Sequence, residues 1–228
     1  MKNLLAVVLV LVAGLLVARR VKQARDADGG GGSSGAAAAE KPAHAWPPVK
    51  GEPYPDLALE DHEGKTVRLS SLRGKVLVIE PIGLACPACN AYAGAETRGG
   101  FRGSGVQTGL GSIDDHLSRW ANTSLGVDPD LVLVQLLLFD TSSSVGNPPS
   151  AEDAREWAEH FRLDQRKSVV VLRGTRALAN GGGYAMVPGF QVVDRKGVLR
   201  FDGSGHQPAD DPYRTVLGSI PDLLRESP

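Results

Sequence analysis

The sequence predicts an α/β fold, a central mixed β-sheet flanked by helices and entered through an N-terminal β-hairpin. Two runs, Val76–Ile79 and Leu131–Phe139, are apolar almost throughout, as strands buried on both faces of a sheet are. Between and after them, apolar residues recur at helical spacing behind capping residues, so helices alternate with strands. Early and late in this region, pairs of short segments flank a Gly-containing turn, as antiparallel hairpins do.

The elements follow in order. Pro55-Asp56-Leu57-Ala58-Leu59-Glu60 and Lys65-Thr66-Val67-Arg68-Leu69 flank Asp61-His62-Glu63-Gly64 and form the first hairpin. Ser70 to Lys75 is a loop leading into a strand over Val76–Glu80, and Pro81 directly after it predicts an early end or a bulge. Ala88 to Ala95 is Ala-rich and helical, with Pro87 at the first helical position, where its missing N–H costs nothing. Arg98 to Gly111 is rich in Gly and lacks periodicity, which predicts a mobile loop.

Ser112 caps the next helix, with Asp114 and Asp115 in its first turn and Ile113, Leu117 and Trp120 on one face. The buried strand Leu131–Phe139 follows. Ser150, with Asp153 three residues on, opens a helix whose stripe is Ala154, Trp157, Ala158 and Phe161. Ser168 to Leu172 is a strand, and Phe190–Asp194 and Val198–Phe201 form the second hairpin across Arg195-Lys196-Gly197. Asp211-Pro212 starts a final helix interrupted at Pro221.

Upstream of this region the composition changes. Leu4 to Ala18 is an uncharged apolar run of 15 residues, with Lys2 before it and Arg19-Arg20 after it. As a helix it spans roughly 22 Å, short of a hydrocarbon core of about 30 Å, and the flanking cations can snorkel across part of the difference. Residues 1–25 are expected to be a membrane anchor. A cleaved signal peptide is the rival, but no small-x-small site follows the run: Ala18 would pair with Leu16, and Arg19 stands next. Residues 26–48, with Gly29 to Gly32, Ser33-Ser34-Gly35 and Ala36 to Ala39, read as a flexible linker. The folded domain is then expected at 49–228.

Charge is informative chiefly by what it excludes. The whole chain carries 25 Lys and Arg against 26 Asp and Glu. Residues 1–48 hold six of the basic and three of the acidic ones, so the domain is mildly acidic and has no basic stripe for nucleic acid. Around the anchor, Arg19, Arg20, Lys22 and Arg25 outweigh Lys2 and the amino terminus. The positive-inside rule would put the domain in the cytoplasm, whereas a signal-like N-terminus argues for the opposite side. The expectation adopted is a domain outside the cytoplasm.

The chain has two cysteines, placed together as Cys86-Pro87-Ala88-Cys89. Such a pair can close a disulfide with itself but cannot staple distant parts of a fold. It sits at a strand-to-helix junction, where unpaired backbone N–H groups and the helix dipole favour thiolate over thiol. Tetrahedral zinc wants four ligands; no second Cys pair exists, and His44, His62, His116, His160 and His206 show no paired ligand spacing. No metal or cofactor is expected beyond the redox-active Cys86–Cys89 pair, and an inert pair is the remaining alternative.

Three blocks together resemble the thioredoxin-like superfamily, and within it the membrane-anchored TlpA/ResA-like thiol–disulfide oxidoreductases. They are Pro55-Asp56-Leu57-x-Leu59 running to Leu72-Arg73-Gly74-Lys75-Val76-Leu77-Val78, the Cys-Pro-Ala-Cys motif, and Val187-Pro188-Gly189-Phe190 before Val192-Val193-Asp194-Arg195-Lys196-Gly197. The resemblance spans about residues 50–225. It implies a nucleophile at Cys86, a resolving thiol at Cys89 and a cis-proline at Pro188 beside them. It also implies a Val187 backbone free to pair with an extended substrate segment. Glu80 lies six residues before Cys86, where such folds often carry a buried acid; there it would have a raised pKa and accept the Cys89 proton. The alternative is a Glu80 that turns outward at the strand end.

This chain departs from the pattern in Leu84-Ala85, which stand where an aromatic usually precedes the first cysteine, and in the long segment Arg98 to Asp130. Two rival functions share the fold. Peroxiredoxins resemble one another in a Thr or Ser three positions before the reactive Cys, and here that residue is Gly83. Sco-type copper proteins space their thiols by three residues and place a His before the late hairpin; here the spacing is two, and Tyr184-Ala185-Met186-Val187 has no imidazole. The expected function is therefore thiol–disulfide exchange at a membrane. Expected partners are protein thiol or disulfide substrates and a membrane or soluble dithiol donor or acceptor.

Overall fold

The computed structural model describes residues 46–141 and 146–228. The anchor expected at 1–25 and the linker from 26 to 45 lie outside the described residues. The strands are β1 (Ala58–Asp61), β2 (Thr66–Arg68), β3 (Val76–Gly83), β4 (Leu131–Phe139), β5 (Val169–Arg173), β6 (Gly189–Val193) and β7 (Leu199–Ser204). The helices are α1 (Pro87–Tyr92), α2 (Ala95–Arg98), α3 (Ile113–Ala121), α4 (Ala151–His160), α5 (Gly181–Ala185) and α6 (Ile220–Arg225).

All seven strands form one sheet in the order β2-β1-β5-β4-β3-β6-β7. Strands β3, β4 and β5 run parallel, which requires crossover connections, and helix-bearing segments supply them. The first hairpin joins β5 antiparallel through β1, and the second joins β3 antiparallel through β6. The four strands β4-β3-β6-β7, with α1 following β3, make this a thioredoxin-like fold. Every residue of β3, β4 and β6 is buried, as central strands covered on both faces must be.

The helix signals act as their chemistry dictates. Ser112 and Ser150 each form a reciprocal capping box, with Asp115 and Asp153 respectively, so each pair satisfies orphan donors at its own helix start. Behind those caps, Ile113 and Leu117 of α3 and Ala154, Trp157 and Ala158 of α4 are buried.

The structure corrects four expectations. Strand β3 does not end at Pro81 but continues to Gly83, with its irregularity between Ile82 and Gly83. The β6 ladder covers only Leu77 to Ile79, so beyond Ile79 that side of β3 has no ladder bond for a proline to remove. The helix over the alanines breaks: α1 ends at Tyr92, and Gly94 at φ +102° begins a separate turn, α2.

The Gly-rich segment is anchored. Phe101 is buried, its ring edge-on to Trp157 at 5.3 Å. Arg102 bridges to Asp153 and Glu156, and Gln107 N–H donates to the Pro87 carbonyl at 3.0 Å. Phe101 is the one fully buried aromatic of the loop, and a lone inserted aromatic leaves no periodicity to detect. Lastly, packing begins before residue 49. The Trp46 indole donates to the Leu178 carbonyl at 3.1 Å, and Pro48 is buried. The C-terminal segment winds as a π-helical turn over Pro212–Val216, then a 3-10 turn, before α6.

Candidate active site

The cysteine pair sits where β3 hands the chain to α1. Cys86 is the N-cap residue of α1, and its Sγ accepts from the Cys89 backbone N–H at 3.3 Å. A sulfur thus does the work that a Ser or Asp oxygen does at most helix starts. Both cysteines are free thiols; Cys86 is part-exposed and Cys89 fully buried. The two thiols are therefore driven apart in acidity. The hydrogen bond from the Cys89 side chain, helped by the backbone N–H groups of Cys89 and Ala88, brings Cys86 down to about 7 against the effect of burial. Burial pushes Cys89 well above its usual range, and its hydrogen bond to Cys86 and the charges of Cys86 and Glu80 push the same way.

Asn90 holds this turn in shape. Its side-chain amide donates to the carbonyls of Leu84 at 3.0 Å and Cys86 at 2.9 Å, while its oxygen accepts from Phe101 N–H at 2.7 Å. The residue is fully buried, so these bonds replace its lost contact with water. One side chain joins the cysteine turn to the Gly-rich segment.

Glu80, on β3, is fully buried and does not turn outward. Its cross-strand neighbour on β4 is Gln135, whose Nε2 donates to Glu80 Oε2 at 2.9 Å. Burial raises the Glu80 carboxyl well above the ordinary range; the Gln135 bond opposes that shift, and the Cys86 charge adds to it. Burial, then the hydrogen bond and charge of Tyr213, push the Tyr92 hydroxyl of α1 up, and the charges of Glu80 and Cys89 add to this. Glu80, Cys86 and Cys89 thus form one electrostatic group. Burial is the first cause of the upward shift in both Glu80 and Cys89.

The peptide bond Val187–Pro188 is cis. A Cβ built on Gly83 would lie 3.7 Å from Cys86 Cβ and 3.9 Å from Val187 Cγ1, so the proline loop borders the cysteine turn. Gly205 N–H donates to the carbonyls of Met186 at 3.0 Å and Pro188 at 2.6 Å, pinning the loop on both sides of Val187. The expectation of a free Val187 backbone is corrected in one half. Its N–H donates to the Tyr184 carbonyl at 3.1 Å, whereas no donor among the described residues meets its carbonyl.

The geometry therefore brings all five residues singled out from the sequence to one end of β3. Asn90, Gln135, Trp157 and Tyr92 were not singled out. A buried amide inside the run Leu131–Phe139 was the available signal for Gln135. Among the described residues, no group of three His, Cys, Asp or Glu side chains is placed to hold a metal ion. His206 is exposed.

No protein-family model matches the sequence, and no curated protein matches it significantly. Among solved structures, a proposed protein disulfide isomerase from Bacteroides thetaiotaomicron is 16% identical with a TM-score of 0.47, the match covering 78% of this chain and 92% of that one. BsSco, a member of the Sco family of cytochrome c oxidase assembly proteins, is 15% identical with a TM-score of 0.45, covering 82% and 97%. A secreted disulfide oxidoreductase from Mycobacterium tuberculosis, homologous to E. coli DsbE, is 14% identical with a TM-score of 0.40, covering 74% and 94%. Likenesses of this order say nothing about activity; strand order and register define the fold.

Proposed function

We propose that this protein is a thiol–disulfide oxidoreductase whose Cys86–Cys89 pair exchanges with the thiols or disulfides of other proteins. The observation that carries this reading is the division of labour within the pair: a part-exposed Cys86 with a thiol pKa of about 7 beside a fully buried Cys89 of raised pKa. Exchange needs an accessible thiolate and a second thiol that stays protonated until it is called upon.

In the reducing direction, the Cys86 thiolate attacks one sulfur of a substrate disulfide. A mixed disulfide forms, and the other substrate sulfur leaves as thiolate. Cys89, having lost its proton, then attacks Cys86 Sγ; the mixed disulfide breaks, the Cys86–Cys89 disulfide forms, and the substrate departs with both sulfurs reduced. The open Val187 carbonyl offers one backbone acceptor to an extended substrate segment. A membrane or soluble dithiol partner resets the pair. We place the domain outside the cytoplasm on a membrane tether, as the apolar segment Leu4–Ala18 suggests. Among the described residues no helix is long and apolar enough to cross a membrane.

The test is Cys89→Ser. Without the resolving thiol, mixed disulfides at Cys86 should accumulate as adducts on non-reducing gels and collapse on adding dithiothreitol, with none in the Cys86→Ser, Cys89→Ser double variant. Absence of adducts, together with peroxide consumption or copper binding at the pair, would replace this reading with a peroxidase or a Sco-like one. Alkaline phosphatase fused after Pro228 should be active in cells; activity of a cytoplasm-only reporter at the same junction would put the domain in the cytoplasm.

A further inference from the structure

Glu80 is fully buried, yet one of its two carboxylate oxygens has no partner. Oε2 accepts from Gln135 Nε2, while Oε1 is buried with no hydrogen bond among the described residues. A buried oxygen in that condition calls for an explanation, and the neighbouring bonds supply one. Trp157 Nε1 donates to Gln135 Oε1 at 2.8 Å. An indole N–H is a donor and nothing else, so it fixes the oxygen end of the amide towards α4 and the nitrogen end towards Glu80. Reversing the amide would set two donors face to face at Trp157.

We propose that Gln135, held in one orientation by Trp157, is a positioning residue that occupies Glu80 Oε2 and reserves Oε1 for the proton Cys89 gives up. This deepens the oxidoreductase reading and rests on it for the meaning of that proton. The step balances within the site. The Cys89 S–H bond breaks, its proton bonds to Glu80 Oε1, and the Cys89 thiolate left behind attacks Cys86 Sγ of the mixed disulfide. A flipped amide would instead present its carbonyl to Glu80. That carbonyl would accept from a protonated carboxyl and repel a charged one, holding Glu80 neutral and closing it to the proton.

The titratable groups facing Glu80 are few. Cys86, Cys89 and Tyr92 all approach from α1, and Tyr213 lies one step further, bonded to the Tyr92 hydroxyl at 2.7 Å. Strands β4 and β6, on either side of β3, carry no titratable residue. Gln135 is thus the hydrogen-bond partner that β4 offers Glu80, opposing the effect of burial.

The experiment uses reduced full-length protein labelled with 13C at the glutamate carboxyls, titrated by NMR, with Glu80→Gln assigning the Glu80 signal. In the wild type that signal should titrate above all other glutamates. Gln135→Met, nearly isosteric but without the donor, should move the Glu80 inflection up by about one to two pH units, the size expected of a lost bond to a charged group. Trp157→Phe should move it in the same direction by freeing the amide to turn, and serves if Gln135→Met fails to fold. An unmoved or lowered inflection in the variants overturns the proposal. The titration reads Glu80 whether or not the protein exchanges disulfides. Shifted inflections with no trapped adducts at Cys86 would therefore sink the functional reading alone, and trapped adducts with unmoved inflections would sink the positioning role alone.

Discussion

The Cys89 backbone N–H donates to Cys86 Sγ at 3.3 Å, so the first turn of α1 is closed by a sulfur. Any charge that develops on that sulfur meets a donor already aimed at it, together with the positive end of the helix. The same bond ties the state of Cys86 to the start of the helix that carries Cys89.

Cys86 should therefore be the reactive thiol. With both thiols reduced, its alkylation by iodoacetamide should rise about tenfold between pH 6 and 8, following a thiolate pKa of about 7. Cys89 should remain unlabelled over that range. Mass spectrometry of the limiting-reagent product decides it, and preferential labelling of Cys89 would reverse the assignment.

Glu80 should make stability depend on pH. Its carboxyl is raised in the folded state, so the folded protein holds a proton that the unfolded chain releases. The resulting stabilisation is complete below the ordinary carboxylate pKa, about 4.3. It is lost as pH rises through the folded value. Relative to wild type, Glu80→Gln should gain stability with increasing pH, by about 1.4 kcal/mol for each unit of the shift. Urea unfolding at pH 5 and pH 8 measures this, and a difference that does not grow with pH would contradict it.

Asn90→Ala should cost about 2 to 4 kcal/mol. The substitution leaves the Leu84 carbonyl and the Phe101 N–H without their partner in a buried setting. Because the same side chain shapes the cysteine turn, the variant should also alter the pH profile of Cys86 alkylation. A stability loss below about 0.5 kcal/mol in chemical denaturation would show that water replaces the amide.

Phe101→Ala should release the Gly-rich segment. Removing a buried aromatic side chain costs about 3 to 5 kcal/mol, and here the loss falls on a loop with few other apolar anchors. Limited proteolysis should cut the variant between residues 98 and 111 under conditions that leave the wild type whole. Equal resistance of the two would mean that the Arg102 ion pairs suffice.

Much of the fold was legible because its signals are local. Capping boxes lie within four residues, hairpins within sixteen, and Cys-Pro-Ala-Cys announces its own helix start. Glu80 was found because it stands a fixed distance before Cys86. Gln135 and Trp157 were harder, since their relation to Glu80 exists only through the β3–β4 register and the seating of α4 on the sheet. The Gly-rich segment misled for the opposite reason. Its composition reports freedom in the unfolded chain, whereas its order in the fold depends on Phe101 and on an amide eleven residues upstream.

The contact made by Trp46 has a practical consequence for where the domain is cut. A Cβ on Gly182 would meet Pro47 at 2.6 Å, and one on Gly183 would come within 3.5 Å of the Trp46 indole nitrogen. Residues 46 and 47 therefore form a lid of side chains over bare glycine backbone in α5. That short helix also carries Tyr184, whose carbonyl fixes the N–H of Val187. Expression from residue 49 would strip the cover from α5 and loosen, through Tyr184, the rim beside Cys86. Starting at or before residue 45 retains the indole, and with it the shape of the surface a partner protein would meet.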